Sequence, residues 1–462
     1  MATPLNVDQI LTVDEFERLL NRGRGKAIVY LQTHDAAPYR EVIRYVALTD
    51  VTDESFQAEN GRSHYLMDLI TLSGQEEAIC EAAIQALHAQ IKVTNDFYQL
   101  FDLLAAYARK GYQQAHQALY AWCRAYYDPY QPQGFAMKPL LELDGASAFL
   151  FLLDPLDSGR YPEITNENIY AFSRALDVLE EKKGVEETQK ALYALTVSLP
   201  ALRETIDTLY TLYALYLKSI IPTPSTDKTV VFPSTLSYAE LREKADTENW
   251  WQPNHIVEQF KKWGEQASQT DLLEAATDFI TLDLTWDQRW CFAFIFQSKG
   301  FPLNDLSRLF EMIYQSKNQP LDGSILRIFA HTHHPDVRAF ALKCLSDPQY
   351  IFQALELLTS NFEATDWGLI ALSFDFDLGD YLVHDLGFSV QELFRKYPSL
   401  DAPPCLIRLF ESNPCALCRE GVVKSLVSLN ALPDWMADEC RYDSSPDLRA
   451  YAERGFVDDP DD

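Results

Sequence analysis

The chain is predicted to be all-α, an α-solenoid of stacked antiparallel helical hairpins in one or two halves. Three observations predict this: apolar residues recur three and four apart in nearly every segment, period-2 alternation is almost absent, and one helical-hairpin sequence is used more than once. Gly is sparse, at 17 of 462 residues, while Leu, Ala, Glu and Tyr are frequent, which favours helices over a turn-rich β fold.

From the N-terminus, VDEFERLL follows Thr12 with Glu15 three residues on, the spacing of a capping box; Ser237–Glu240 and Ser389–Glu392 share it. YREVIRYVAL, HYLMDLITL, AICEAAIQAL and FYQLFDLLAAYA carry the helical period. KAIVYLQ (26–32) and KTVVF (228–232) have strand composition but no hairpin partner. LMDLITLSGQEEAICEAAIQAL (66–87) echoes LFDLLAAYARKGYQQAHQALY (100–120), each an apolar helix, a Gly at the turn and a second helix.

Three loops are rich in Pro: DPYQPQG (128–134), DPLDSGRYPE (154–163) and IIPTPSTDKTVVFPST (220–235). The last is the longest, so the expected organisation is a helical-hairpin domain at 1–219, a linker at 220–235, a repeat domain at 236–456 and an acidic tail at 457–462.

The repeat is clearest near the C-terminus. ILRIFAHTHHPDVRAFALKCL (325–345), moved forward by 81 residues, lands on LIRLFESNPCALCREGVVKSL (406–426), matching Arg327 to Arg408, Phe329 to Phe410 and Arg338 to Arg419. PDLRAYAERGF (446–456) repeats the second half, with Leu448, Arg449, Ala452 and Phe456 at the spacing of Val337, Arg338, Ala341 and Leu345; LSRLFEMI (306–313) echoes the first. The pattern P-D-V-R-x-x-A-x-x-x-L resembles the second helix of a HEAT-type repeat over roughly 320–456. The resemblance implies that Asp336 and Asp447 start their helices, and that Arg338, Arg419 and Arg449 pair with acids of neighbouring units. Leu417 stands where the second copy would have its Asp.

The net charge is −29, from 68 acidic and 39 basic side chains, and no block of fifty residues is positive. Phosphate neutralisation needs a basic face, so nucleic acid is not an expected partner. The acid surplus serves solubility and also suits a basic protein or peptide. The first residues lack a signal-peptide pattern, and the longest apolar run, ASAFLFLL (146–153), is too short to cross a bilayer; with eight scattered Cys this reads as a cytoplasmic protein with reduced thiols.

Candidate chemistry is thin. His331, His333 and His334 cluster, but the other copy has Ser412, Pro414 and Cys415 in those slots, so they read as an inter-helix turn and not a zinc site. Cys415 and Cys418 form one C-x-x-C without a second pair, and Cys418 takes the core slot of Val337. DFDLGDYLVHD gathers Asp375, Asp377, Asp380 and Asp385, yet Gly379 stands where an EF-hand needs an oxygen ligand, so the segment reads as an acidic loop. NRGRGKAI (21–28) lacks the Walker spacing, and no hydrolase, metalloprotease or kinase signature is present. Thus no catalytic, cofactor or metal residues are expected.

Aromatic stretches are the least ordinary feature; TLYTLYALYLK (208–218) sets Tyr210, Tyr213 and Tyr216 along one side of a helix. Such side chains suit partner surfaces, and with Asp375, Asp377 and Asp380 they are the expected partner-binding residues. The leading expectation is a non-catalytic interaction scaffold or inhibitory binder. The alternative is an enzyme on a HEAT-like scaffold, bilin lyase-like or DNA glycosylase-like, the latter disfavoured by the charge.

Overall fold

The computed structural model describes residues 10–51, 62–89, 95–126, 134–157, 175–181, 184–197, 203–204, 206–208, 210–211, 236–247, 253–313, 321–374 and 379–458. These residues are all-helical with no strand among them. KAIVYLQ is helical from Lys26 to Leu31. KTVVF, the linker at 220–235 and the loops 128–133 and 158–163 lie outside the described residues.

Two compact units share the chain: one comprises 226–413 and 421–431, the other 3–225, 414–420 and 432–462. Residues 432–456, expected with the C-terminal repeats, therefore gather with the N-terminal helices. The cause is local to that unit. Gly23, at φ +65°, and Gly25 let the chain pass so close to residues 439–444 that a Cβ on Gly25 would lie 2.1 Å from the Glu439 carbonyl oxygen. Arg24 donates to both Glu439 carboxylate oxygens at 2.5 and 3.0 Å.

The N-terminal unit contains α1 (Val13–Asn21), α2 (Lys26–Leu31), α3 (Arg40–Leu48), α4 (Ser63–Ser73), α5 (Glu76–Ala89), α6 (Asn95–Arg109), α7 (Gln113–Tyr126), α8 (Gly134–Asp144), α9 (Ala146–Asp157) and α10 (Val185–Leu195). α6 is its centre, packed by α3, α4, α5, α7 and α8, with Phe97, Leu100, Leu103, Leu104 and Tyr107 sealed from solvent. Buried Gln99 donates to the Val46 and Thr49 carbonyls at 2.9 and 3.0 Å, satisfying the exposed end of α3 from within the core. Gly74 and Gly111, both with positive φ, turn α4 into α5 and α6 into α7, as the paired sequence echoes require.

The second unit runs through α11 (Tyr238–Thr247), α12 (Pro253–Gln266), α13 (Gln269–Thr281), α14 (Trp286–Ile295), α15 (Ser307–Ile313), α16 (Gly323–Ala330), α17 (Pro335–Leu345), α18 (Ile351–Leu358), α19 (Asp366–Ser373), α20 (Asp380–Lys396) and α21 (Pro403–Ser412). Alternate helices lie side by side: α12, α14, α16, α18 and α20 form one row, and α17, α19 and α21 a second. Side chains beyond each helix cap the carbonyls that end its predecessor. Lys299 reaches Ala267 (2.7 Å), Ser360 reaches Ala330 (2.6 Å), and Tyr397 and Lys396 reach Thr359 (2.8 and 2.7 Å).

The Thr12 and Ser237 capping boxes form as the sequence indicates. The Ser389 box does not: Ser389 lies inside α20, which runs unbroken because Val383, Leu386, Val390 and Leu393 bury one continuous stripe. The last helices, α22 (Ala416–Ser428), α23 (Asp434–Cys440) and α24 (Pro446–Glu453), complete the chain.

Candidate functional site

A capping box between Thr285 and Gln288 fixes the start of α14. From that start, Cys291, Phe292 and Ile295 enter the core, while Trp286, Trp290 and Phe294, four apart, form an outer stripe. Trp286 is 53% exposed. Its ring stacks on Trp290 at 5.8 Å and 10°, and Phe294 stands edge-on to Trp290 at 5.7 Å.

Across the row, α16 places the Arg327 guanidinium over both Trp290 (4.6 Å) and Phe294 (4.2 Å). Arg327 makes no hydrogen bond or ion pair among the described residues, and its Nε is buried without a partner. Burial pulls its pKa below the usual arginine value, against the opposing pull of Glu356. The Glu356 carboxyl, on α18, is itself raised by burial. Neighbouring Arg289 has a carboxylate instead, Asp322 at 3.4 Å, which also caps α16. The site is thus a cation fixed on an aromatic shelf, its polar edge uncommitted.

The three histidines occupy the turn from α16 to α17, and the side chains of His333 and His334 engage separate backbone groups. His331 ends α16, and burial followed by Arg327, Lys396 and Lys261 lowers its pKa. His333 Nδ1 lies 2.9 Å from the Ser360 carbonyl. His334 Nδ1 accepts from the Asp336 amide, and its own amide donates to buried Asn361 (2.9 Å), whose Nδ2 reaches the Thr332 carbonyl.

This corrects the expected role of Asp336. His334 caps α17 and Ser445 caps α24, because Pro335 and Pro446 take the first helical position and move Asp336 and Asp447 one residue inward, where both are exposed. There they favour the helix N-terminus through its dipole. Each arginine has a partner. Arg338 binds both carboxylate oxygens of fully buried Asp366 (2.5 and 2.7 Å) and reaches Glu363 (2.9 Å). Arg419 holds Asp443 at 2.9 and 2.7 Å with both side chains sealed from solvent. Arg449 reaches Asp68 (2.9 Å) and the Asp443 carbonyl.

Tyr210 packs against the N-terminal core, its hydroxyl pushed up to about 12 by burial, so it is a packing residue more than a displayed one. Tyr213, Tyr216, Asp375 and Asp377 lie outside the described residues, and Asp380 begins α20. Cys415 and Cys418 are buried in a small contact of their own. All eight cysteines are buried thiols.

The N-terminal unit adds a polar cleft of about 380 Å³ lined by Arg109, Gln113, His116, Glu142 and Asp144. One oxygen of Asp144 lies 2.7 Å from His116 Nε2 and accepts from the Tyr120 hydroxyl at 2.6 Å; Arg109 pairs with Glu142 at 2.6 Å. These contacts tie α6 and α7 to the end of α8, joining residues 24 to 33 apart that share no motif. The aromatic stripe on α14 had a signal in the i, i+4, i+8 spacing of WDQRWCFAF, whereas Arg327 had none beyond its place in the repeat. Comparison with family models, curated proteins and solved structures finds no match to the chain.

Proposed function

We propose that the protein is a non-catalytic interaction scaffold, a HEAT-like solenoid in its second unit that docks a protein segment across the row α12–α20. The observation that carries this is the stripe Trp286–Trp290–Phe294 with Arg327: large aromatic side chains left toward solvent beside a fixed cation are the residue types that dominate partner surfaces. The row of alternate helices and the Arg338–Asp366 link between successive pairs support the repeat reading. The net charge of −29 supports a partner that is basic overall.

The test compares proteins retained from native lysate by the full chain and by a Trp286→Ala, Phe294→Ala variant, quantified by mass spectrometry at low and moderate salt. One or a few basic proteins should be depleted at least tenfold in the variant. Equal retention by both chains, with equal melting midpoints, would remove this surface from consideration.

A further inference from the structure

We infer that Arg327, held on the Trp290 and Phe294 rings, is the receptor for a single carboxylate of a docked peptide, with the exposed Trp286 ring as the shelf for the residue beside it. This rests on the scaffold reading and names the chemistry its partner must carry at one point.

Arg327 is set apart by what its side chain lacks. In a chain where acids outnumber bases 68 to 39, its guanidinium makes no hydrogen bond or ion pair among the described residues, and Glu356 acts on it without pairing with it. Its repeat counterpart, Arg408, donates to the Ala371 carbonyl at 3.4 Å, and Arg338 and Arg419 each hold a carboxylate. The guanidinium carbon lies 4.6 and 4.2 Å from the centres of the Trp290 and Phe294 rings, which stand at 80° to each other and hold it from two sides, and its terminal N–H groups, unbonded among the described residues, match a carboxylate in two parallel bonds. Lys261 of α12 and Lys396 of α20 act on His331 together with Arg327, so cations from three helices of the row raise the local potential.

A polyanion fits poorly, since Glu356 acts on Arg327 and the chain carries −29. One carboxylate balances one unspent guanidinium. A peptide, not a small metabolite, matches the scale: five helices side by side, about 8–10 Å apart, span roughly 30–40 Å, the length of about ten extended residues. A partner that is basic overall therefore carries one acid that sets its register against α16.

The experiment selects binders to the full chain from a random twelve-residue displayed peptide library, then measures synthetic peptides by fluorescence anisotropy. Selected peptides should share one Asp or Glu beside an apolar or aromatic residue. Changing that acid to its amide, or Arg327→Gln in the protein, should weaken binding at least tenfold, and the two changes together should add little. Arg327→Lys should lie between; the peptide-side change leaves the protein intact, so misfolding cannot mimic the result. Binding kept within twofold in Arg327→Gln but lost in Trp286→Ala would overturn the carboxylate site and leave the scaffold. So would selection of peptides with no acid. Failure to select any peptide would overturn both.

Discussion

Arg338 and Arg419 hold the same place in the repeated sequence and each makes a bidentate bond to an aspartate, Arg338 through Nη1 and Nη2 and Arg419 through Nε and Nη2, yet their surroundings differ. Arg338 keeps a 20% exposed side chain, whereas Arg419 and Asp443 are both sealed. Removing one partner from a sealed pair strands a charge in low dielectric, so Arg419→Met should cost about 3–5 kcal/mol and Arg338→Met about 1–3 kcal/mol, read by denaturant unfolding. The arginines were readable in the sequence because they repeat; their acids were not, because Asp366 and Asp443 lie 28 and 24 residues onward, outside the matched segment. Asp102 gives a second prediction. Burial, helped by Glu142, raises its carboxyl to about 7. The folded state then binds more protons than the unfolded one between about pH 4 and 7, so stability falls as pH rises through that window. Asp102→Asn should flatten this slope and leave the variant the more stable above pH 7, as melting midpoints across pH would show.

At the scale of helices, period and breakers located most elements, and the false capping box at Ser389 shows the limit: spacing alone does not reveal that a buried stripe continues past a serine. Close crossings were less visible. Gly264 of α12 meets α14 so tightly that a Cβ would sit 2.0 Å from the Ile295 carbonyl oxygen. Backbone cannot swing aside, so Gly264→Ala should force the two helices apart and cost about 1–3 kcal/mol or more. Gly421 is as crowded, at 1.9 Å, but by the Gln391 side-chain oxygen, which can rotate away; Gly421→Ala should cost less. Thermal denaturation of both variants checks the order.

For the whole molecule, the division of the chain was the least readable property. Nothing in NRGRG announces a partner, and Arg24 finds Glu439 across 415 residues. A chain ending at residue 431 loses Glu439, Asp443 and Arg449, the partners of Arg24, Arg419 and Asp68. Limited proteolysis with mass spectrometry should then show cleavage throughout 10–126 while 253–413 resists. Equal protection of both regions would show that the last helices are dispensable to the N-terminal unit.

The same separation sets an order of events on the ribosome. At about 5–20 residues per second, on the order of 20–80 s pass between the emergence of Arg24 and that of Glu439. In that interval the second unit is almost fully synthesised and can fold from local contacts, whereas the helices around Arg24 must wait. The nascent N-terminal helices hold Arg24 and α2 without their last partners, so an earlier segment of this chain is completed after a later one. Its demand on chaperones falls on the N-terminal unit.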